Sequence, residues 1–267
     1  MKKIIIDPVN GLMNRFRALA SAKILADHTN RELLVNWKSE WCCNININDI
    51  VDDNFFNIGY DVNRSQCFFH SGREKGSEHP FVQSMIDTDN DIVYLQAGGN
   101  FYPKDMSVSE FNNKKSDFYR SIPFKEIIKN DVVSFKEKNG GYYGIHLRFT
   151  DRSQFSVNAK YVSDIIDMNP NKKFFICSDD RSSIDYLNSL YKDKIITYPI
   201  TNLNRASKEG LIQSMIDWLI LANSEKIWYS LGSSYSYEAC IYNKLSNSVE
   251  MNPSNLILDD FIIKLEF

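Results

Sequence analysis

The sequence predicts an α/β fold in which helices cover the faces of parallel β-sheets. Short apolar runs rich in β-branched residues alternate along the chain with segments whose apolar residues have helical spacing. The 267 residues are enough for one large domain or two compact ones. Hydrophobic residues make up 43% and charged residues 24%, a globular balance that excludes a disordered chain, a collagen and a coiled coil.

The first half of the chain opens in the order strand, loop, helix and strand. An apolar run from Lys3 to Asp7 stops at a proline, and the Asn10-Gly11 turn follows it. The elements predicted for this half are strands at 3–7, 32–37 and 91–96 and helices at 12–27 and 118–136. Such an opening is typical of a layered fold with a parallel sheet.

The second half repeats the alternation with greater regularity. Its predicted elements are strands at 142–149, 172–178, 194–200 and 226–231 and helices at 156–168, 182–191, 207–223 and 235–243. This order predicts a parallel, doubly wound sheet. The segment Glu137–Gly141 is the predicted linker, which divides the chain into domains of residues 1–138 and 139–267. We expect residues 255–267 to cross back to the first half.

Charge, cysteines and hydropathy exclude several classes of protein. A net charge of -3 and the lack of a Lys/Arg run argue against nucleic-acid binding. Five cysteines without a C-x-x-C spacing favour reduced, buried thiols, and the adjacent Cys42 and Cys43 are weak support for a redox or metal site. The apolar run after Lys3 is too short for a signal peptide, and no stretch is long enough to cross a membrane, so we expect a cytoplasmic protein.

Polar residues follow several of the predicted strands at the point where each strand ends. They occur at Asn10–Arg17, His146–Arg152, Ser178–Arg181 and Leu231–Ser234. Because ligands of parallel sheets bind at the carboxyl ends of the strands, we expect these residues to line one rim. Their convergence predicts a ligand site more strongly than any one motif does.

Two of these segments suit a phosphate group. Arg148 at a strand end could hold phosphate through two parallel hydrogen bonds, or form a salt bridge to Asp151 or Asp180. Gly232-Ser233-Ser234 stands between a strand and a helix, where unpaired N–H groups and the helix dipole favour a diphosphate. The alternative for this turn is an ordinary helix N-cap.

The remaining candidates each allow a structural and a functional interpretation. His146 shares a strand face with Arg148 and is either a core residue or a site residue. Asp179 and Asp180 could bind a metal or accept hydrogen bonds from a sugar or base. Asp217 lies inside a predicted helix, where it either faces solvent or reaches a nucleotide base.

Other catalytic classes fit the sequence less well. Gly232–Ser236 resembles the nucleophile turn of α/β-hydrolases, but all four histidines precede it, whereas the hydrolase triad requires a later one. No P-loop, H-E-x-x-H or G-x-G-x-x-G motif is present. Asp87-Thr88-Asp89 could be the D-x-D metal motif of a different transferase or a solvated loop.

Four segments, taken together and in order, resemble the fucosyltransferase superfamily. Gly11–Ala20 is similar to its G-L-G-N-Q/R segment, and His146–Arg152 is similar to its H-x-R-R-x-D-K/Y motif. Phe174–Asp180 resembles its strand ending in S/T-D-D, and Asp217 through Ser236 resembles its final D…S-S-x-F/S block. These segments span nearly the whole chain.

The resemblance implies two facing Rossmann-like domains in the GT-B arrangement, with the N-terminal one on the acceptor side. It implies an inverting transfer of fucose from GDP-fucose without a metal or other cofactor. The expected acceptor is a glycan or a lipid-linked oligosaccharide in surface-polysaccharide biosynthesis, reached through transient contact with the inner face of the membrane. A GDP-linked sugar other than fucose is an open alternative.

The resemblance also implies roles for individual residues. The nucleotide contacts it assigns are Arg148 to the β-phosphate, Gly232, Ser233 and Ser234 to the diphosphate, His146 and Asp217 to guanine, and Asp179 and Asp180 to the nucleotide or to Arg148. Asn14 would lie near the reacting sugar, with Gly11, Arg15 and Arg17 on the acceptor side. Arg148 is thus the residue that would stabilise the leaving group.

The sequence departs from the family pattern at three positions. Met13 replaces the second glycine of the first motif, Phe149 replaces the second arginine, and Arg152 stands where the family has lysine. No acidic residue follows the second motif, so Asp151 is the hypothetical general base and Asp7 its alternative. These departures leave a non-catalytic nucleotide-sugar-binding protein as the second hypothesis.

Overall fold

A computed structural model of the chain describes residues 2–59, 88–149, 157–244, 246 and 248–252, together with the backbone of 68–72. The chain divides into two compact units, each with its own parallel sheet. The first unit comprises the chain up to Lys125 and the segment Asn204–Ile212. The second comprises Glu126–Leu203 and the chain from Gln213 onward. The predicted α/β fold class is therefore confirmed.

The first unit is built on a four-stranded sheet. Its elements are β1 (Lys3–Pro8), α1 (Leu12–His28), β2 (Glu32–Val35), β3 (Phe68–Gly72), β4 (Ile92–Ala97) and α2 (Val108–Ser121). The strands pair in the order β2-β1-β4-β3, all parallel. Ile4, Ile5 and Ile6 of the central strand β1 are almost fully buried, as expected for a parallel strand that is covered on both faces.

The second unit has a five-stranded sheet. Its elements are α3 (Glu126–Asn139), β5 (Tyr143–Leu147), α4 (Ala159–Asp167), β6 (Phe174–Ser178), α5 (Arg181–Leu190), β7 (Ile195–Ile196), α6 (Lys208–Ala222, whose first turn belongs to the first unit), β8 (Ile227–Ser230), α7 (Ser234–Asn243) and β9 (Val249–Met251). The strand order is β7-β6-β5-β8-β9, all parallel. This doubly wound order reverses direction between β5 and β8, and such a reversal places a crevice at the carboxyl ends of those two strands.

The predicted helix over 118–136 is two helices, α2 and α3. Ile122 has an extended ψ of 118° because the following Pro123 disfavours helical backbone before it. Phe135 of α3 packs edge-on against Tyr142 and Phe175 of the second unit. The division between the units falls at Lys125, before the predicted linker at 137–141, and α3 belongs to the second unit.

Several shorter elements differ from the prediction. The predicted strand over 194–200 pairs only at Ile195–Ile196, because beyond it the chain bends and the Ile200 N–H donates to the Tyr198 carbonyl. Strands β3 and β9 and the part of helix α2 before Phe118 were not predicted. Helix α2 is polar, and it begins at Ser107, whose hydroxyl accepts from the Glu110 N–H.

The described cysteines carry free thiols, and three of them are buried: Cys43, Cys177 and Cys240. Cys67 and the segment 255–267 lie outside the described residues. In the part of the chain that the structure describes, no helix has the length and apolar character needed to cross a membrane.

Candidate active site

The carboxyl ends of β5, β6 and β8 in the second unit bring several of the predicted polar residues to one edge. Parallel pairing aligns His146 with Cys177 and Leu147 with Ser178, so the residues after both strands emerge side by side. The Ser230 hydroxyl at the end of β8 donates to the His146 carbonyl at 2.6 Å. This hydrogen bond ties β8 to β5 across the point where the strand order reverses.

Arg148 is oriented by an aspartate that follows the neighbouring strand. Its Nε lies 3.2 Å from Oδ2 of Asp179, and both side chains are largely buried. The other carboxylate oxygen of Asp179 accepts from the Phe149 N–H at 2.7 Å. Asp179 therefore positions both the guanidinium of Arg148 and the backbone beside it. Arg148 forms a salt bridge, as the alternative prediction stated, but the partner that the structure describes is Asp179.

The turn from β8 into α7 has the geometry of an anion site. Gly232 has a positive φ of 65°, a conformation that glycine adopts without strain. Ser233 is the N-cap of α7, yet its side chain makes no capping hydrogen bond. The first-turn N–H groups of α7 are thus not capped by Ser233, and they stand at the positive end of the helix dipole. Ser234 is the first helical residue and is half-buried.

His146 is buried, and its environment keeps it neutral. Burial, followed by the positive charge of Arg148, lowers the pKa of His146 to about 3, although Asp179 acts in the opposite direction. Its Nδ1 has no hydrogen-bond partner in the described part of the chain. The ring stacks on Tyr235 with centroids 5.1 Å apart. His146 is therefore a buried imidazole with one unused nitrogen.

Asp217 faces a cavity and is not the exposed helix charge that was the alternative prediction. Its side chain is 5% exposed, and burial raises its pKa well above the usual value. It makes no hydrogen bond or ion pair with the residues that the structure describes. A cavity of about 550 Å³ lies against it, and its wall includes Ser178, Tyr198 and Thr201. A buried carboxyl group without a partner requires a donor from elsewhere.

Tyr235 links the histidine to the helix that carries Asp217. The Tyr235 hydroxyl donates to the Ser214 carbonyl of α6 at 2.7 Å, and its own carbonyl accepts from Trp218 Nε1 at 2.8 Å. Burial raises the pKa of Tyr235, and the negative charge of Asp217 raises it further, whereas Arg148 lowers it. Arg148, His146 and Asp217 thus belong to one electrostatic neighbourhood within the second unit.

Asp180 serves mainly as the N-cap of helix α5. Its Oδ2 accepts from the Ser183 N–H at 3.0 Å and from the hydroxyls of Ser183 and Ser182. The Ser183 and Ser182 hydroxyls, the strongest of these influences, hold the pKa of Asp180 below its usual value. Among the described residues, no three His, Cys, Asp or Glu side chains cluster as a metal site would require.

The acceptor-side candidates lie at the corresponding edge of the first unit. Gly11 is the N-cap of α1, and Asn14 is half-buried in its first turn. One terminal nitrogen of Arg17 donates to Asn14 Oδ1 at 2.8 Å and to the Gly98 carbonyl at 2.7 Å. Arg15 is fully buried, and its guanidinium binds backbone carbonyls and Glu40. Arg15 therefore has a scaffolding environment, whereas Asn14 is accessible.

The two candidate bases, Asp151 and Asp7, and the D-x-D segment differ in what the structure shows of them. Asp151 lies outside the described residues, as does Asp87. Asp7 is buried at the end of β1, where its Oδ2 accepts from Tyr94 at 2.8 Å, Lys38 at 3.1 Å and Gln96 at 3.2 Å. Asp89 is exposed and pairs with Lys2 on the surface.

The sequence analysis did not identify two residues of the cavity wall, Tyr198 and Cys177. Cys177 points from β6 into the same cavity as Asp217, and burial raises the pKa of its thiol. Tyr198 follows β7, and its hydroxyl donates to Asp131 at 2.6 Å. The sequence signal that could have identified both residues is their position near the ends of predicted strands.

Comparisons with known proteins agree with this arrangement. Neither protein-family models nor curated protein sequences give a match. Among solved structures, the NodZ α1,6-fucosyltransferase soaked with GDP-fucose superposes with a TM-score of 0.67 at 16% identity, covering 96% of this chain and 97% of that chain. NodZ has also been solved as the fucosyltransferase from Bradyrhizobium. The chain has the fold of the fucosyltransferase superfamily.

Two further fucosyltransferase structures share the fold. A mutant of Arabidopsis thaliana FUT1 in complex with GDP has a TM-score of 0.61 at 13% identity, covering 93% of this chain and 70% of that chain. POFUT1 in complex with GDP-fucose has a TM-score of 0.57 at 10% identity, covering 94% and 97%. The fucosyltransferase resemblance and the GT-B-like fold class are thus confirmed at the level of the fold.

Proposed function

We propose that this protein is an inverting glycosyltransferase that transfers fucose, or a related sugar, from a GDP-sugar to a glycan acceptor. The observation that carries the proposal is Asp217, a buried carboxyl group without a partner that faces a cavity of about 550 Å³. The fold supports it, because structures with this fold have been solved with GDP and with GDP-fucose. The family of the first structural neighbours therefore agrees with the chemistry of the site.

Asp217 has the chemistry to select guanine. The Watson–Crick edge of guanine presents two adjacent donors, N1–H and the 2-amino group, which a carboxylate accepts as a pair. Uracil and adenine do not present two adjacent donors on that edge. A ligand without them would leave Asp217 buried and unpaired, and sites built on such groups discriminate strongly. We assign His146, with its unused Nδ1, to the same base.

Arg148 and the start of α7 supply the positive field for the diphosphate. When the acceptor hydroxyl attacks the anomeric carbon of the sugar, the bond to GDP breaks and negative charge grows on the β-phosphate. The guanidinium of Arg148, held in place by Asp179, stabilises that charge. The first-turn N–H groups of α7 and the hydroxyls of Ser233 and Ser234 add hydrogen bonds. No metal is needed for this stabilisation.

The acceptor half of the proposal rests on the first unit. We assign Asn14 to the reacting sugar and Gly11 and Arg17 to the acceptor side. Asp151 is the proposed base that takes the proton of the acceptor hydroxyl. The acceptor is a glycan or a lipid-linked oligosaccharide of a surface polysaccharide, which requires a cytoplasmic enzyme with transient contact at the membrane face.

The nucleotide assignment is tested by thermal shift and calorimetry with GDP, UDP, CDP and ADP. A ligand present at 100 times its dissociation constant stabilises a protein by about 2.7 kcal/mol. We expect GDP to stabilise the protein selectively and Asp217→Asn to remove that selectivity. Asp164→Asn, a change of an exposed aspartate on α4, is the matched control. Equal stabilisation by GDP and UDP would contradict the guanine assignment.

Turnover distinguishes the enzyme from a non-catalytic nucleotide-sugar-binding protein. That alternative is favoured by Phe149, which packs against the hydrophobic core of the second unit where a second arginine was expected. An enzyme consumes GDP-fucose in the presence of acceptor, and it does so in EDTA if no metal takes part. GDP binding without any consumption of GDP-sugar would establish the alternative.

A further inference from the structure

Trp41 is the most exposed large hydrophobic side chain among the described residues, with 85% of its surface accessible. Trp218 and Trp228 are buried in the second unit, and Trp37 is half-buried against Phe16. A single exposed apolar side chain is not unusual by itself. What distinguishes Trp41 is the rigidity of the turn that presents it.

Trp41 and Cys42 form the tip of a tight hairpin turn. The Glu40 N–H donates to the Cys43 carbonyl at 3.2 Å, and the Cys43 N–H donates to the Glu40 carbonyl at 2.9 Å. Beneath the turn lies Arg15, whose side chain is fully buried. Its guanidinium pairs with Glu40 at 2.9 Å and donates to the Lys38 carbonyl. A buried arginine thus holds the segment that leads into the turn.

Additional hydrogen bonds anchor the segment that surrounds the turn. Trp37 Nε1 donates to the Ile45 carbonyl at 2.8 Å, and the Ser39 hydroxyl donates to Asn44 Oδ1 at 2.6 Å. The Asn44 amide donates to the Ala206 carbonyl at 2.9 Å. The backbone of Trp41 is therefore fixed before any ligand arrives, which lowers the entropic cost of binding at its indole ring.

The same contacts place the turn at the carboxyl edge of the first sheet. Arg15 Nε donates to the Asn10 carbonyl at 2.8 Å, and Lys38 Nζ lies 3.1 Å from Asp7 Oδ2. Asp7 lies near the end of β1, and Asn10 follows the strand directly before Gly11. The exposed indole is thus connected by rigid contacts to the loop that carries the acceptor-side candidates.

We propose that Trp41 is a stacking platform for a pyranose ring of the acceptor. The inference rests on the proposed function and adds a binding residue for its acceptor. An indole ring has a negative face, which attracts the polarised C–H groups on the apolar face of a sugar. Large aromatic side chains also lose little conformational entropy on binding, since they have only two rotatable angles. Exposed Lys38, Ser39 and Glu40 directly precede Trp41 in the sequence, and their side chains carry donor and acceptor groups of the kind that bind sugar hydroxyls.

A sugar fits this surface better than a protein partner or a bilayer. No second exposed large hydrophobic side chain lies in the described segment 36–45. A stable protein interface buries about 800 Å² on each partner, far more than one indole ring offers. Charged Lys38 and Glu40 beside the ring also disfavour insertion into lipid.

The site is tested first by observing the indole N–H signals of tryptophan-labelled protein by NMR. Trp41→Phe identifies the signal of Trp41, which a soluble paramagnetic agent broadens most. The probes are methyl β-galactoside, methyl β-glucoside and methyl N-acetyl-β-glucosaminide, with glycerol as a polyol control. We expect at least one glycoside to shift the Trp41 signal at millimolar concentration and glycerol to leave it unchanged. Signals unmoved by all three glycosides would overturn the proposal.

A second comparison separates stacking from general hydrophobicity. Trp41→Tyr retains an aromatic ring, whereas Trp41→Leu retains only apolar surface. We expect the dissociation constant of the glycoside to rise about tenfold in Trp41→Leu and less than about threefold in Trp41→Tyr. Met168→Ala, a change of an exposed apolar residue in the second unit, is the control. Equal losses in the Tyr and Leu variants would contradict stacking.

The GDP affinity of the same variants keeps this inference distinct from the proposed function. We expect GDP to bind Trp41→Leu as tightly as the unchanged protein. A protein that binds glycosides through Trp41 but does not bind GDP would refute the proposed function and leave the sugar platform intact. A Trp41 signal that responds to anionic phospholipid vesicles and not to glycosides would overturn the platform.

Discussion

Arg15 at one sheet edge and Asp217 at the other are both buried, but among the described residues only Arg15 has partners for its charged group. In the first unit, fully buried Arg15 has an ion pair to Glu40 and hydrogen bonds to two backbone carbonyls. In the second unit, Asp217 and Nδ1 of His146 are buried without a partner in the described chain. A native fold pairs most of its buried polar groups. Arg17 Nε and Ser236 Oγ are buried without a partner in the described structure as well, so it is the cavity beside Asp217 that supports the proposed ligand site. Clusters of paired polar groups, such as the one around Arg15, stabilise the fold.

The electrostatics follow the same division. Burial is the largest cause of both shifts in the second unit, lowering the pKa of His146 to about 3 and raising that of Asp217. Both shifts favour the neutral form of the group in the unliganded protein. The ion pair between Arg148 and Asp179 supplies the charged part of the site. The proposed base-binding region and the proposed phosphate-binding region are thereby separated within one edge.

The largest effect we predict would test the scaffold role of Arg15. Arg15→Met removes a buried ion pair and two hydrogen bonds to carbonyls, and it leaves those acceptors unsatisfied. We expect the free energy of unfolding to fall by about 3 kcal/mol, as measured by urea denaturation. Arg148→Met is the matched change at the other edge, and it should cost less, because 18% of the Arg148 side chain is accessible to solvent whereas Arg15 is fully buried. A similar decrease in the free energy of unfolding in both variants would show that the two arginines contribute equally to stability.

The second prediction concerns affinity at the ligand edge. Arg148→Ala removes a charge-assisted contact to the diphosphate, and such contacts are worth about 1.5–3 kcal/mol. We therefore expect the dissociation constant of GDP, measured by calorimetry, to rise about thirtyfold. Lys160→Ala, at an exposed lysine on α4, should leave it unchanged. A folded Arg148→Ala protein that binds GDP normally would remove Arg148 from the site.

The third prediction uses the raised pKa of Asp217. The carboxyl group of Asp217 keeps its proton in the folded protein at pH values where the unfolded chain has lost it, so stability falls as the pH rises above about 4. Asp217→Asn abolishes this loss. We expect its Tm to exceed that of the unchanged protein by about 2–4 °C at pH 8, with no difference near pH 4. The same variant should lose selectivity for GDP.

The opposite pattern would be informative. If Asp217→Asn were less stable at pH 8 than at pH 4 relative to the unchanged protein, Asp217 would be an ionised, paired carboxylate. Its role would then be structural, as that of Asp7 is in the first unit. Asp164→Asn provides the baseline for an aspartate on the surface.

The sequence predicted that these polar residues share one edge of the sheet, because parallel strands bring their carboxyl ends together. The positions of His146, Arg148 and Ser233 follow from strand order alone. The burial of Asp217 could not be decided in this way, because helix α6 is apolar on nearly every side around it. Which side faces a cavity depends on packing against β6 and the chain after β7, and that packing is a tertiary property.

Other features were hidden for different physical reasons. The role of Asp180 as an N-cap was readable from the Asp-x-x-Ser spacing, but the site hypothesis competed with it. The exposure of Trp41 depends on Arg15, which is distant in sequence and reaches the turn from helix α1. Contacts of this kind, between a helix and a remote turn, leave no periodic signal in the sequence.

The smallest effect we predict is an absence of titration. An ordinary histidine changes charge near pH 6.5, but His146 stays neutral until the pH approaches its lowered pKa of about 3. We expect the affinity of the Asp217→Asn protein for GDP-fucose, measured by calorimetry, to vary less than about twofold between pH 5.5 and 8, since this variant removes the titration of the Asp217 carboxyl group. GDP-fucose is the suitable ligand because it has no terminal phosphate that titrates in this range.

The unfolded chain binds a proton at this histidine below about pH 6.5, so the stability that neutral His146 provides is present above that pH and is lost as the pH falls toward 3. An inflection in affinity near pH 6.5 that His146→Gln abolishes would show instead that the imidazole is protonated in the site, and the division between a neutral base-binding region and a charged phosphate-binding region would fail.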